Sequence, residues 1–271
     1  MLVNGKPEDQ IQLSDRGLQY GDGLFETVAV NLGQPCLWQR HMDRLARGEM
    51  ALGLPPSDQQ LLEQEAISLS AGHDRAVLKI ILTRGSGGRG YASPSPTVTR
   101  RILTIHPWPD YLQRWHSEGI HLGICRTRIG RNRQLAGYKH LNRLEQVLAR
   151  SECQEAGLDE CLMMDEREQV ICGTQSNLFV MQKNTIYTPD LTHSGIAGVV
   201  RELVIETARQ LSIPLRVTDL DQHSLIDADA LFMTNSVIGL CPVAMLGQRQ
   251  YDQEYIPHEL SRRVRAACTT S

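Results

Sequence analysis

Between Arg126 and Arg143 the chain places Arg126, Arg128, Arg131, Arg133, Lys139, His140 and Arg143 with no acidic residue among them. A lysine set among arginines is a candidate nucleophile: neighbouring positive charge disfavours the ammonium and lowers the amine's pKa. A neutral amine can form a Schiff base with a carbonyl compound. A solvated basic loop is the plainer reading of any such run. Against it, the run feeds an apolar periodicity, Leu141, Leu144, Val147 and Leu148, which predicts a helix from about Leu141 with a stop near Gly157. Lys139 then stands at the helix N-terminus, where the partial positive charge acts in the same direction.

Two other segments have the makings of anion sites. In "HSGIAGVVRELVIETARQL", Val200, Leu203, Val204, Thr207, Ala208 and Leu211 follow a helical period. Gly198 precedes the first turn and leaves the Val199 and Val200 N–H groups open to a phosphate, although every helix begins with such donors. In "ALFMTNSVIGLCPV" a strand from Ala230 to Thr234 runs into Asn235-Ser236, a turn pair able to serve an anion. Arg44 lies on a predicted helix beside His41 in "RHMDRLARGEMALG", and "VICGTQSNLF" is a strand, a small-residue turn and a second strand.

"LTRGSGGRGY" carries Gly85, Gly87 and Gly90 in the G-x-G-x-x-G spacing of a dinucleotide fingerprint. That motif needs a helix directly after it. Pro94 and Pro96 stand where the first turns would run, and an interior proline costs about 3 kcal/mol or more. A nucleotide-binding oxidoreductase would rest on those three glycines alone. The segment reads instead as a glycine-rich loop carrying Arg84, Arg89 and Tyr91.

The elements that must position these residues alternate between strand and helix. Up to about Ile105 the strands "GLFETVAV", "AVLKIIL" and "RRILTIH" mix with helical stretches over His41 to Leu52 and Asp58 to Ala71. The two prolines of "HPWPDYLQ" break regular structure, after which strand and helix patterns resume. We therefore expect a small N-terminal α/β lobe over residues 1–107, a linker over 108–113, and a larger lobe over 114–271 that carries Lys139. At 41% hydrophobic and 22% charged residues with a net charge of −3, the chain reads as a soluble globular protein. Neither nucleic acid nor a membrane surface is suggested as a partner, and no apolar run approaches a membrane span. Seven cysteines with no C-x-x-C pair give neither a disulfide framework nor a metal site. With no signal peptide visible, the cytoplasm is the expected location.

Taken in order, "DRGLQYGDGLFETV", "HMDRLAR", the lysine segment, "GTQSNLF", "GIAGVVREL" and "LFMTNSVIGLCPV" resemble the class IV (fold type IV) pyridoxal-phosphate enzymes along nearly the whole chain. That family includes branched-chain and D-amino-acid transaminases and 4-amino-4-deoxychorismate lyase. "TRGSGGRGY" and "AGYKHLNRLEQVLAR" are similar to the lyase branch. The resemblance implies a two-lobe α/β fold of type IV with the active site between the lobes, pyridoxal 5'-phosphate (PLP) as cofactor, and a homodimer. It implies the conversion of 4-amino-4-deoxychorismate to 4-aminobenzoate and pyruvate for folate biosynthesis, with class IV amino-acid transamination as the alternative. Lys139 takes the position of the Schiff-base lysine and Arg44 that of a phosphate-binding arginine. Gly198, Val199, Val200, Asn235, Ser236 and Val237 take the places of the phosphate cup, with Asn177 beside the cofactor. Arg84, Arg89, Tyr91 and Asn142 are placed to meet a dicarboxylate substrate.

One position departs from the family. A glutamate usually stands five residues before the asparagine of "NLF" and pairs with the pyridine nitrogen; here that position is Cys172. A thiol makes a weak partner unless it ionises. An elimination that creates an aromatic ring drains negative charge at once, so it tolerates this loss better than a transamination does. The competing expectation is that Cys172 is a thiolate doing the carboxylate's work.

Overall fold

The computed structural model describes residues 1–270 and divides the chain into two compact units. The first holds Met1–Trp108 and Tyr138–Asn142 with Thr269 and Thr270; the second holds Pro109–Gly137 and Arg143–Cys268.

In the first unit, strands β1 (Leu2–Val3), β2 (Lys6–Pro7), β3 (Gly23–Asn31), β4 (Gln34–Pro35), β5 (Arg75–Thr83) and β6 (Arg100–Pro107) form one sheet in the order β2-β1-β6-β5-β3-β4. All its pairings are antiparallel. Helices α1 (Arg16–Tyr20), α2 (Trp38–Leu52) and α3 (Gln59–Ser70) complete it. The strands follow from a period of two. Ala76, Leu78, Ile80 and Leu82 alternate along β5, all buried, and join Leu24, Val28 and Val30 of β3 in a core closed by Met42, Leu45, Leu62 and Ala66 of α2 and α3. Each large side chain in this layer contributes roughly 1.5–3 kcal/mol by its burial. Helix α2 stops at Gly53, whose φ of 60° is left-handed, and α3 starts where the Asp58 side chain accepts the Leu61 N–H at 3.0 Å.

The second unit contains α4 (Leu112–Glu118), β7 (Ile120–Ile129), α5 (Leu144–Glu155), β8 (Glu160–Asp165), β9 (Val170–Gly173), β10 (Asn177–Gln182) and β11 (Thr185–Pro189). It continues with α6 (Val199–Gln210), β12 (Leu215–Thr218), α7 (Gln222–Ile226), β13 (Ala230–Asn235), β14 (Gly239–Leu246), β15 (Arg249–Gln250) and α8 (His258–Ala267). Its nine strands run β12-β11-β10-β13-β14-β7-β8-β9, with β15 paired to β14. The β11–β12, β14–β7 and β7–β8 pairs are parallel. Strands β8, β10 and β13 are buried along nearly their whole length, which explains their unbroken apolar sequences. Phe179 and Phe232 stack at 4.8 Å between ring centroids where β10 pairs with β13.

Three sequence expectations are corrected. The linker over 108–113 is shorter, because Leu112 and Gln113 already belong to α4, whose Leu112 and Trp115 are buried. Lys139 belongs to the first unit and not to the larger C-terminal one. The helix predicted from about Leu141 begins at Leu144, because the backbone before it is committed to β3. Phe25 N–H donates to the Lys139 carbonyl at 2.9 Å, Leu141 N–H to the Gly23 carbonyl at 3.0 Å, and Leu24 bridges His140. The apolar positions of that helix face solvent. Leu144, Val147 and Leu148 are 70%, 57% and 53% exposed, while Ala149 and Cys153 carry the buried side of α5.

Candidate active site

The lysine segment is an extended strap on β3. Its backbone bonds fix Lys139 beside Phe25, and the ammonium lies 4.2 Å from the centre of the Phe25 ring, a cation–π contact. Lys139 is therefore five residues short of α5, and the helix-terminus argument for its reactivity does not apply. Asn142, expected at a substrate carboxylate, instead gives its side-chain N–H to the Gly21 carbonyl at 3.1 Å. Gly21 (φ 64°) must be glycine on two counts, since a Cβ there would also stand 2.6 Å from the Asn142 amide oxygen.

On the opposite side of β3, Glu26 meets α2. Its Oε1 accepts Arg44 Nε–H at 2.8 Å, its Oε2 accepts a second Arg44 N–H, and His41 Nδ1 lies 2.6 Å from Oε2. Helical spacing brings His41 and Arg44 to one face of α2, and all three side chains are buried. Burial alone would raise the Glu26 pKa, but the Arg44 charge and the bonds from Arg44 and His41 overcome it and hold Glu26 at about 2. Burial pushes His41 down against the pull of Glu26, and the charges of Arg44 and Lys139 push the same way. His41 is thus neutral, with its Nδ1–H on Glu26. Glu26 was not singled out in the sequence, and His41 was noted there only as the neighbour of Arg44 on the predicted helix.

The glycine-rich loop is built differently from the expectation. Arg84 was predicted to meet substrate, but its guanidinium is buried and bonded within the chain: Nε–H donates to Asp22 at 2.8 Å, and one N–H of each terminal nitrogen to the Gly53 carbonyl at 3.0 Å and the Leu52 carbonyl at 2.6 Å. It is a structural arginine. Arg16, which the sequence reading passed over, clamps the loop through the carbonyls of Gly90 (3.0 Å), Tyr91 (2.9 Å) and Ala92 (3.2 Å) and pairs with Asp22 at 2.9 Å. Arg89 and Tyr91 project from the clamped loop, Tyr91 being 86% exposed and 5.4 Å from the Tyr20 ring.

In the second unit the turn after β9 is organised by Glu160. This buried carboxylate accepts the Thr174 hydroxyl at 2.5 Å, the Ser176 hydroxyl at 2.9 Å, and the N–H groups of Cys161, Thr174 and Gln175. Cys172 lies on β9 just before that turn. Burial, reinforced by the charge of Glu160 and opposed by Arg143, pushes its thiol up to about 12, so the chain's own groups favour the neutral thiol there.

Asn177 donates to the Ile196 carbonyl at 2.9 Å and crowds Gly198, where a Cβ would stand 2.1 Å from the Asn177 amide oxygen. Gly198 is the N-cap of α6 and offers no side chain to the first-turn N–H groups of Val199 and Val200. At the other predicted turn, Asn235 Oδ1 accepts the N–H of Val237 at 2.8 Å and of Ile238 at 2.9 Å. The Val237 N–H assigned to the phosphate cup is therefore already used, because the asparagine closes its own turn. Ser236 follows Asn235 directly. The hydroxyls of Thr234 and Ser194, one beside each segment in sequence, are buried with no hydrogen-bond partner, a state that costs free energy until an acceptor or donor is supplied. Within the second unit, open helix-terminal N–H groups and orphaned hydroxyls fit a phosphate-bearing cofactor. No group of three or more His, Cys, Asp or Glu side chains among the described residues is arranged to hold a metal ion. No helix among them is long and apolar enough to cross a membrane.

A two-layer unit of antiparallel strands and helices, a second unit with a large mixed sheet and a lysine strap define a fold type IV enzyme, and residues 23–246 match the Amino-transferase class IV family. The chain belongs to that family, whose members are PLP-dependent enzymes. It is 35% identical to an aminodeoxychorismate lyase from Vibrio harveyi over 99% of both chains. It is 27% identical to a putative branched-chain-amino-acid aminotransferase from Methanocaldococcus jannaschii, over 94% of this chain and 91% of the other. Among solved structures, a 4-amino-4-deoxychorismate lyase from Pseudomonas aeruginosa is 43% identical, with a TM-score of 0.90 over 98% of this chain and 96% of that one.

Proposed function

We propose that this chain is an aminodeoxychorismate lyase, a PLP-dependent carbon–oxygen lyase that converts 4-amino-4-deoxychorismate to 4-aminobenzoate and pyruvate. The observation that carries the reading is the similarity to lyases at 35% and 43% identity along nearly the whole chain. The neutral Cys172 thiol supports it from the chemistry. PLP, when bound, supplies an electron sink for the carbon that bears the substrate amine. Lys139 would hold the cofactor through its amine and, once displaced by the substrate amine, remove the proton from that ring carbon as general base. Loss of the enolpyruvyl group then leaves an aromatic ring, and the released enolpyruvate becomes pyruvate on protonation.

Within the second unit the Val199 and Val200 N–H groups, Gly198, Asn235 and the Ser236 hydroxyl would take the cofactor phosphate; Arg44, oriented by Glu26 in the first unit, is the arginine that the resemblance assigns to it. Asn177 would act by fixing the backbone at Ile196 and Gly198. Arg89 and Tyr91, carried on the clamped loop, remain the side chains of that loop available to a substrate carboxylate. The reading includes a homodimer and a cytoplasmic location; the seven cysteines, free and buried, suit a reducing compartment.

The second reading is a class IV amino-acid transaminase, favoured by the 27% identity to the Methanocaldococcus jannaschii protein. Incubation of the PLP-loaded protein with 4-amino-4-deoxychorismate separates the two. Stoichiometric 4-aminobenzoate and pyruvate support the lyase. Amino transfer from D- or branched-chain amino acids to 2-oxo acids without 4-aminobenzoate formation refutes it.

A further inference from the structure

Residues 84–99 join β5 to β6 with no helix or strand of their own. A loop this long inside a compact unit is uncommon and usually carries function. Its start is fastened by backbone bonds: Arg16 N–H donates to the Gly85 carbonyl at 2.8 Å, and Gly87 N–H to the Ser14 carbonyl at 3.2 Å. The middle, residues 88–93, carries Arg89 and Tyr91 and is held differently. Among the described residues, the only hydrogen bonds that reach it come from the Arg16 guanidinium, onto three consecutive carbonyls.

This clamp needs an arginine. Nη1 donates to the Gly90 and Ala92 carbonyls, Nη2 to the Tyr91 carbonyl, and Nε–H to Asp22 at 2.9 Å. A lysine, with three donors on one nitrogen, could not serve four acceptors set around a planar fork. The root of the clamp is fixed as well. Buried Asp15 caps α1 by accepting the Gly17 N–H at 2.8 Å and also takes the Thr83 hydroxyl at 3.0 Å. The Tyr20 ring centre lies 4.9 Å from Arg16 Cζ. Three carbonyls converge on one cation only where the backbone curls sharply, and the Gly90 φ of 92° supplies that turn. With the carbonyls drawn inward, the Arg89 and Tyr91 side chains are exposed, Tyr91 resting edge-on against Tyr20.

We propose that Arg16 is a positioning residue for the substrate: its clamp holds residues 88–93 in the form in which Arg89 and Tyr91 meet a substrate carboxylate. The inference rests on the lyase reading above. In this role Arg16 acts through the loop and makes no bond to the substrate. An unclamped loop would have to be ordered by the substrate itself, and that entropy loss weakens binding. It appears in KM, while the step carried by Lys139 and the cofactor is left as it was.

Two variants of the full PLP-loaded chain test it. Arg16→Met removes every donor of the clamp and leaves Asp22 paired with Arg84. Gly90→Ala leaves Arg16 untouched; its Cβ would enter open space, so only the left-handed φ is penalised. Limited trypsin digestion reports on the loop, because cleavage after Arg89 needs local opening of the backbone. Steady-state formation of 4-aminobenzoate separates KM from kcat. In both variants, cleavage after Arg89 and KM should each rise about tenfold, the factor that one charge-assisted hydrogen bond carries. The kcat and the PLP affinity should stay near the parent's, and Arg16→Lys should fall between the parent and Arg16→Met. Cleavage no faster than the parent's overturns the clamp, and faster cleavage with an unchanged KM overturns its service to the substrate. A KM that rises only together with lost PLP affinity marks general damage and overturns the positioning role. A parent that forms no 4-aminobenzoate overturns the lyase reading and the substrate role with it. Should Arg16→Met misfold, Gly90→Ala decides.

Discussion

Glu26 holds Arg44 on two hydrogen bonds while its second oxygen also meets His41 Nδ1 at 2.6 Å, a charge-balanced, buried cluster. Removing one partner of a buried pair leaves an uncompensated charge, at a cost of about 3–5 kcal/mol. Glu26→Gln is expected to destabilise by that order. Glu26→Gln/Arg44→Met should recover most of the loss, since an apolar replacement of similar volume leaves no charge behind. If Arg44 also holds the cofactor phosphate, the double variant stays stable but binds PLP weakly. Urea unfolding beside PLP titration separates the two roles, and wild-type PLP affinity in the double variant would remove Arg44 from the phosphate.

The same cluster sets a pH dependence. The Glu26 pKa in the folded chain is about 2, below its ordinary 4.5. A depressed carboxylate contributes stability that is present above the unfolded value and lost as pH falls through the folded one. The parent should therefore lose stability progressively from about pH 4.5 down to about 2, and Glu26→Gln should lack that component. Parallel slopes for the two proteins in acid titrations followed by circular dichroism would contradict the pairing.

Lys139→Ala removes the side chain over Phe25 but none of the backbone bonds that fasten the strap to β3. Its thermal midpoint should stay close to the parent's, while covalent attachment of PLP, trapped by borohydride and read by mass, disappears together with turnover. Product formation at the parent rate would show that another group carries the chemistry.

Cys172 should be dispensable as an acid or base. Its thiol is raised from 9 to about 12, so it is uncharged across the working range, and Cys172→Ala should keep the shape of the parent's pH–rate profile. The raised value also means that stability from this group is complete below about pH 9 and lost as pH rises through 12. A profile that shifts in the alanine variant and is restored by glutamate would make Cys172 a participant.

Gly198→Ala tests the entry to α6. The backbone there is ordinary at φ −72°, so strain is not the issue; the added Cβ would stand 2.1 Å from the Asn177 amide oxygen. Overpacking of this kind costs about 1–3 kcal/mol. The Asn177→Ala background should relieve it, which a double-mutant cycle in urea reads directly.

Composition and period were enough to anticipate much of this molecule. The alternation of Leu24, Val28 and Val30 and of Ala76 to Leu82 names strands buried on one face, and the prolines after Gly90 exclude a dinucleotide cradle, because these are local rules of backbone geometry. The motif order carried the family. What the sequence could not contain is competition for partners across long separations. Arg84 and Arg89 look alike in "TRGSGGRGY", yet the first is consumed by Asp22 and two carbonyls near Gly53 while the second stays exposed. Lys139 reads as standing at a helix N-terminus until β3 claims its backbone, and the helical period of the leucines after it does not say that they face outward. Glu26 is invisible beside Phe25 until α2 brings His41 and Arg44 to it. Local propensity is set by neighbours in the chain. The state of a charge or an apolar face is set by what tertiary packing places against it, and that was decided only by the fold.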